Sequence, residues 1–520
     1  MSRWFNVSGP CRPGDHFMVP TGPRFPTLRA LVERKAYFVV HAPRQVGKTT
    51  ALTNLARDLT AEGTYAAALV SVEVGAPASH DPEAAELAIL DVWRLRFDHV
   101  LPPELRPPPW PDARPLSRIR QGLSTWARVC PRPLVLFIDE IDALQDQTLL
   151  SVLRQLRDGF SDRPESFPWS LGLCGMRDVR DYKVASGGSN KLGTSSPFNI
   201  KDESLTLADF TEAEVHGLYT QHTSDTGQVF TPEALARAFE LTRGQPWLVN
   251  ALARQVVDVL VTDRSKPIGA ADFDAAKEIL IERQDTHLDS LAERLREERV
   301  RRVLEPMLAG ELPGDLPPDD IRFVCDLGLV RRGRQGGLEV ANPIYREIIP
   351  FSLSTTARAF LPAIQPTWLR PNGRLDTAKL LDAFLDFWRQ HGEPMLRSAP
   401  YHEIAPHLVM MAFLHRVANG GGTLERDYAI GMGRMDVCLR YGPDVLAIEL
   451  KVWRQKRKDP LVQGLAQLDA YLAGLGQANA NLTGWLVIFD RRDGLEPIED
   501  RTTTEQARTP SGREVVVIRG

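Results

Sequence analysis

Two stretches of this chain place residues of unlike chemistry at spacings that suit work on phosphate esters. The first is Ala42-Pro-Arg-Gln-Val-Gly-Lys-Thr-Thr50. An apolar run over residues 36–41 precedes it and a helical pattern to Leu59 follows. A loop between a buried strand and a helix N-terminus turns successive backbone N–H groups toward an anion. Ala42, Gln45, Val46, Gly47, Lys48, Thr49 and Thr50 are expected to line that cradle. Gly47 permits close backbone approach. Lys48 is expected to reach the β- and γ-phosphates, and the Thr49 hydroxyl to sit on Mg²⁺. Further on, Leu134-Val-Leu-Phe-Ile-Asp-Glu-Ile-Asp142 is an apolar strand that ends in acids. Asp139 is expected to hold Mg²⁺ and Glu140 to orient and polarise an attacking water. The plain alternative is an acid pair that caps the next helix.

The second stretch is Gly433-Arg-Met-Asp436 through Ala447-Ile-Glu449-Leu-Lys451. Tyr441-Gly-Pro-Asp444 reads as a turn between two alternating strands. Folding about Gly442 and Pro443 brings Asp436 nearly opposite Glu449, and period two puts Glu449 and Lys451 on one face. Two adjacent acids repel, and a hard divalent cation that prefers oxygen relieves the repulsion. Asp436 and Glu449 are therefore metal-site candidates, with Lys451 to neutralise charge or position a nucleophile. An exposed Glu-x-Lys on an edge strand is the alternative, but apolar neighbours embed Glu449, and an unpaired acid there is costly.

The elements that must position these groups form an ordered series. Strand-like runs at residues 36–41, 66–74, 134–138 and 169–174 alternate with helical patterns, which predicts a parallel sheet covered on both faces. Helical patterns at 211–219, 232–242 and 247–262 predict a lid. Residues 285–349 read as two helical stretches and a hairpin turning at Gly336-Gly337, a winged helix. Residues 351–374 read as a linker. The expected division is 1–204 (sheet), 205–284 (lid), 285–350 (winged helix), 351–374 (linker) and 375–520 (a final α/β unit).

The first stretch resembles the AAA+/STAND group of P-loop ATPases, over residues 5–349. Ala42 replaces the usual first glycine of the loop. Gly244-Gln-Pro246 looks like the Gly-x-Pro by which such lids contact nucleotide, which implies a role for Pro246. Arg177, just past the fourth strand, stands where the group often has a γ-phosphate sensor, and a helix-terminal salt bridge is the equal alternative. The second stretch resembles the PD-(D/E)xK nuclease superfamily, over residues 375–490. That resemblance implies an extra metal-site acid at Glu403, which is alternatively a first-turn acid favoured by the helix dipole. It also implies a catalytic role for Gln467, which shares a helical face with Gln463 and Tyr471.

Composition limits the partners. A net charge of −4 over 520 residues gives no global basic field, so any nucleic-acid surface must be local. Lys451-Val-Trp-Arg-Gln-Lys-Arg-Lys458 is such a patch, with Trp453 available for stacking, or else it is a solvated loop. Arg331, Arg332 and Arg334 decorate the expected wing, which serves either phosphate contact or packing. Five scattered cysteines argue against zinc and disulfides, and no apolar run is long enough for a membrane span. The expectation is a cytoplasmic, ATP- and Mg²⁺-binding protein, a homo-oligomer in one version. Its nuclease domain cuts DNA in preference to RNA, in defence or mobile-element processing. The rival expectation is an ATP-dependent switch whose nuclease-like domain only binds nucleic acid or a partner.

Overall fold

The computed structural model describes residues 3–176, 198, 200–283, 286–308, 316–333, 336–353, 367–398, 405–418, 423–427, 436–455, 457–475, 481–492 and 494–520. The chain divides into two compact units, Met1–Leu280 with Asp326–Gly328, and Ile281–Cys325 with Leu329–Gly520.

The first unit is built on a parallel sheet of β1 (Tyr37–His41), β2 (Ala66–Ser71), β3 (Leu134–Asp139), β4 (Ser170–Gly175) and β5 (Glu203–Thr206). Their spatial order is β2-β3-β4-β1-β5. Every residue of β3 and β4 is buried, as expected for strands covered on both faces. Gly172 in β4 makes room for two rings, because a Cβ there would lie 2.9 Å from both Phe38 and Phe137. The expected second strand ends early, and residues Glu73–Ala78 form a 3₁₀ turn. Sequence reading passed over β5, a short edge strand, Glu-Ser-Leu-Thr, without a buried apolar face.

The lid helices are Glu212–Thr226, Pro232–Thr242 and Pro246–Gln255. The first begins in a reciprocal cap in which the Thr211 hydroxyl accepts from the Glu214 N–H and the Thr211 N–H donates to the Glu214 carboxylate, satisfying orphan donors. Their aromatic core (Tyr219, His222, Phe230, Phe273) is completed by Phe5 and Phe17 from the N-terminal segment.

In the second unit, the region begins with helices Thr286–Arg294 and Glu298–Leu308. With Pro318–Asp326, three helices rather than two precede the hairpin of β6 (Val330–Arg332) and β7 (Leu338–Val340). Gly336 and Gly337 hold φ of 83° and 82° at its turn, a region that favours glycine.

The remainder is a six-stranded sheet of β8 (Thr423–Asp427), β9 (Asp436–Tyr441), β10 (Asp444–Trp453), β11 (Asn481–Asp490), β12 (Thr503–Arg508) and β13 (Glu514–Arg519), ordered β12-β13-β11-β10-β9-β8. Side chains from helices Thr377–Ser398 and Ala405–Ala418 pack with Leu446, Ile448 and Leu450 on one face. Helix Leu461–Leu475 packs with Ala447, Leu486 and Ile488 on the other. The expected linker is corrected at both ends. Residues Pro343–Leu353 continue a helix, and Trp368 is buried in the core of this sheet. Asp444 then accepts from the Arg374 guanidinium (3.1 and 2.5 Å) and the Leu375 N–H (3.2 Å), fastening that segment to the β10 start.

Candidate nucleotide and metal sites

The first site grows from the end of β1. Gln45 (φ 60°) and Gly47 (φ 92°) reverse the chain, and helix Lys48–Ala61 starts directly after. No side chain caps that helix and its first turn holds no acid, an arrangement that suits an anion at its leading N–H groups. Val46 and Ala42 are buried in the core and can offer only backbone. The Lys48 ammonium donates to the Ala42 and Pro43 carbonyls, both at 2.8 Å. The Thr49 hydroxyl donates to Asp139 Oδ2 at 2.7 Å. The hydroxyl and carboxylate expected to share a cation are therefore already adjacent.

Glu140 follows Asp139 with φ 57°. Its side chain reaches solvent, yet the surrounding protein first, then the Asp139 and Asp142 charges, raise its pKa, with Lys48 opposing. Cys174, buried in β4, has its thiol pushed well up by burial and by the Asp139 charge, and it hydrogen-bonds Asp139. Arg177 lies outside the described residues; its predecessor Met176 lines the cavity.

That cavity has a volume of 440 Å³ and runs from the loop and Asp139 to Phe210, Pro246, Trp247 and Asn250. Gly244 makes the lid side possible. Its φ is 83°, and a Cβ would sit 1.8 Å from the Phe210 carbonyl oxygen. The Phe210 N–H meanwhile donates to the Gly244 carbonyl at 2.8 Å. Pro246 then opens a helix whose leading N–H of Leu248 is capped by the Gln245 side chain.

Sequence reading missed the N-terminal segment, whose residues Asn6 to Cys11 form one wall. The Cys11 N–H donates to the Thr50 hydroxyl (3.1 Å) and the Trp247 indole donates to the Val7 carbonyl (3.0 Å). The Thr50 hydroxyl thus also anchors this segment, while its backbone N–H stays in the first turn of the helix. No local pattern marks residues 6–11, because their partners lie 39 and 240 positions away.

The second site follows the expected register. β9 and β10 pair antiparallel, with Asp436 across from Glu449 and Tyr441 across from Asp444. The Asp436 side chain and Glu403 lie outside the described residues. Glu449 is 0% exposed and Lys451 8%. Glu449 Oε1 lies 2.7 Å from the Lys451 ammonium, and Oε2 is buried without a hydrogen-bond partner. Gln467, on the helix covering the same face, also has a buried Oε1 without one. A fully buried carboxylate with an unpartnered oxygen, on the face covered by the helix that carries the unpartnered Gln467 amide oxygen, fits a hard cation. Across the sheet, His407 was not anticipated. Burial, then the Lys451 and Arg454 charges, push its imidazole down to about 3, so it is neutral, and its ring hydrogen-bonds the Leu450 backbone.

Both basic patches are partly occupied within the chain. Arg331 in the wing pairs with Glu339 at 2.8 Å, Arg332 is exposed, and Arg334 lies outside the described residues. The Trp453 ring is covered by the Arg492 guanidinium, 3.5 Å from its centroid, so that face cannot take a base.

No family profile and no curated protein matches the chain. Solved structures do. The Walker-type ATPase PABY2304 of Pyrococcus abyssi is similar at 13% identity and TM-score 0.47, over 66% of this chain and 99% of that one. The RuvB Holliday junction branch migration motor of Thermotoga maritima is similar at 17% and 0.35, over 64% and 98%. The Aeropyrum pernix ORC1 protein in complex with DNA is similar at 15% and 0.34, over 67% and 94%.

Proposed function

We propose that the chain binds and hydrolyses ATP with Mg²⁺ in its first unit, and that its second unit is a Mg²⁺-dependent nuclease that cuts DNA. The observation that carries the nuclease reading is the Asp436–Glu449 register with Lys451 beside a wholly buried Glu449. Nothing in folding alone calls for a buried carboxylate with an unsatisfied oxygen, which costs about 1–3 kcal/mol or more. The residues at each site divide the work. In the first, the loop N–H groups and Lys48 bind phosphates, Thr49 and Asp139 hold the cation, and Glu140 aligns water. In the second, Asp436 and Glu449 hold the cation, with Glu403 as a further ligand, and Lys451 neutralises charge on the scissile phosphate. The cation, when bound, supplies Lewis acidity and a more acidic water. Gln467 orients water or the substrate backbone.

Nucleotide state would govern cutting through the lid, which the N-terminal segment ties to the loop helix, or through self-association. The activity suits restriction of foreign DNA or processing of mobile elements. The test is incubation of circular and linear DNA with Mg²⁺, with and without ATP, using wild type, Lys451→Ala and Lys48→Ala. Cleavage that disappears in Lys451→Ala and changes with Lys48→Ala is expected. ATP hydrolysis with no cleavage of any DNA would leave only the nucleotide half standing.

A further inference from the structure

The C-terminal ends of β10, β11 and β13 lie side by side, since β10 pairs β11 and β11 pairs β13 in parallel. Two loops leave this edge. The first, after Trp453, closes on itself, with the Trp453 indole donating to the Arg457 carbonyl at 3.0 Å. The second follows β11 and is tied to the first, its Arg491 N–H donating to the Trp453 carbonyl at 2.7 Å. Together they present Arg457, Lys458 and Arg491, all exposed and in no ion pair among the described residues. Glu449, Lys451 and Trp453 alternate onto one face, so these cations begin about 7 Å beyond Lys451 along the strand.

The aromatic side of this edge is closed. Arg492 lies over Trp453 and is itself held by Asp490 at 2.6 Å, and the ring also packs against the core. Among the described residues of this unit, every other Trp, Phe and Tyr is buried except Tyr471, which packs in that same core cluster. Single strands are gripped by stacking their bases on exposed aromatic faces. A duplex hides its bases and offers phosphates.

We propose that this edge binds the phosphate backbone of a nucleic-acid duplex and selects duplex over single strand at the adjoining site. The inference rests on the nuclease reading for its biological sense, but binding can be measured apart from cleavage. Full-length protein would be titrated, with Ca²⁺ in place of Mg²⁺, into labelled duplex DNA, duplex RNA and single strands of equal length. Tighter duplex binding is expected, and the DNA and RNA arms identify which duplex is preferred. Arg457→Ala/Lys458→Ala/Arg491→Ala should weaken it and flatten the log K against log salt slope by about 0.9 for each phosphate no longer neutralised. The Arg457→Lys/Arg491→Lys variant should keep the slope, which separates lost charge from misfolding. Tighter binding of single strands, or an alanine variant with unchanged slope, would overturn the proposal. Duplex binding without cleavage in Mg²⁺ would instead sink the nuclease reading and leave this one intact.

Discussion

The two sites satisfy their charged groups in opposite ways. In the first unit, Lys48 is held by two backbone carbonyls and Thr49 by Asp139, so the ammonium and the hydroxyl expected at phosphate and cation have partners within the protein, whereas Asp142 Oδ1 and Asn250 Oδ1 on the cavity wall are buried without one. In the second, Glu449 keeps a buried oxygen without one, and so does Gln467. The first arrangement can persist without ligand, because exchange for phosphate or cation trades one set of hydrogen bonds for another. The second holds an unmet demand that a cation would answer. Cation removal should therefore disturb the second site more than nucleotide removal disturbs the first.

Substitutions sharpen this contrast, and the largest effect is expected at the unsatisfied carboxylate. Glu449→Gln should lower DNA cleavage by about 10²–10³-fold or more, read by plasmid nicking, since it removes charge stabilisation at the reacting phosphate. The same neutral, isosteric change leaves Lys451 facing an amide, so thermal stability in a chelator should fall little. A large stability loss there would mean that Glu449 serves only to pair Lys451.

Glu140→Gln should reduce ATP turnover by about 10²–10⁴-fold with nucleotide binding retained. In the wild type, the raised pKa of Glu140 means its carboxylate protonates while an ordinary glutamate is still ionised. Turnover should then fall as pH drops, through an acid limb above the usual glutamate range. A limb at the ordinary position would break the link to burial.

Gly244→Ala should come next. A left-handed backbone costs a non-glycine residue about 1–2 kcal/mol, before the overlap with the Phe210 carbonyl is counted. Weaker nucleotide binding in calorimetry and a lower melting temperature should appear together.

The smallest effect is expected for Asp444→Asn, away from both sites. The Arg374 guanidinium holds this carboxylate below its ordinary value. Its stabilising contribution is therefore present above the unfolded pKa and lost as pH falls through the folded one. The variant should melt slightly lower at neutral pH and show a shallower acid dependence, with cleavage unchanged.

Local sequence made the loop at residues 42–50, the strand ending in Asp139 and the hairpin about Gly442-Pro443 legible. In each, strand periodicity, a turn residue and the chemistry-bearing side chain lie within a few positions of one another. Even the Asp436–Glu449 register followed, because a two-residue turn leaves a hairpin no other alignment. The break at residues 295–297 and the third helix before the wing were less legible, since charged helices blur the apolar period that marks their ends. β5 had no alternating pattern to announce it.

Sequence by itself thus determined which side chains could meet phosphate and cation, because that chemistry rests on residue type and short-range spacing. Tertiary structure alone decided which of them are desolvated and what completes the sites. Residues 6–11 become a cavity wall only by pairing with Thr50 and Trp247. His407 comes to Leu450 only through packing of helix on sheet, and Trp453 loses its open face only because Arg492 arrives from the end of another strand. Burial and long-range pairing are properties of the whole chain's packing, and no local window of residues contains them.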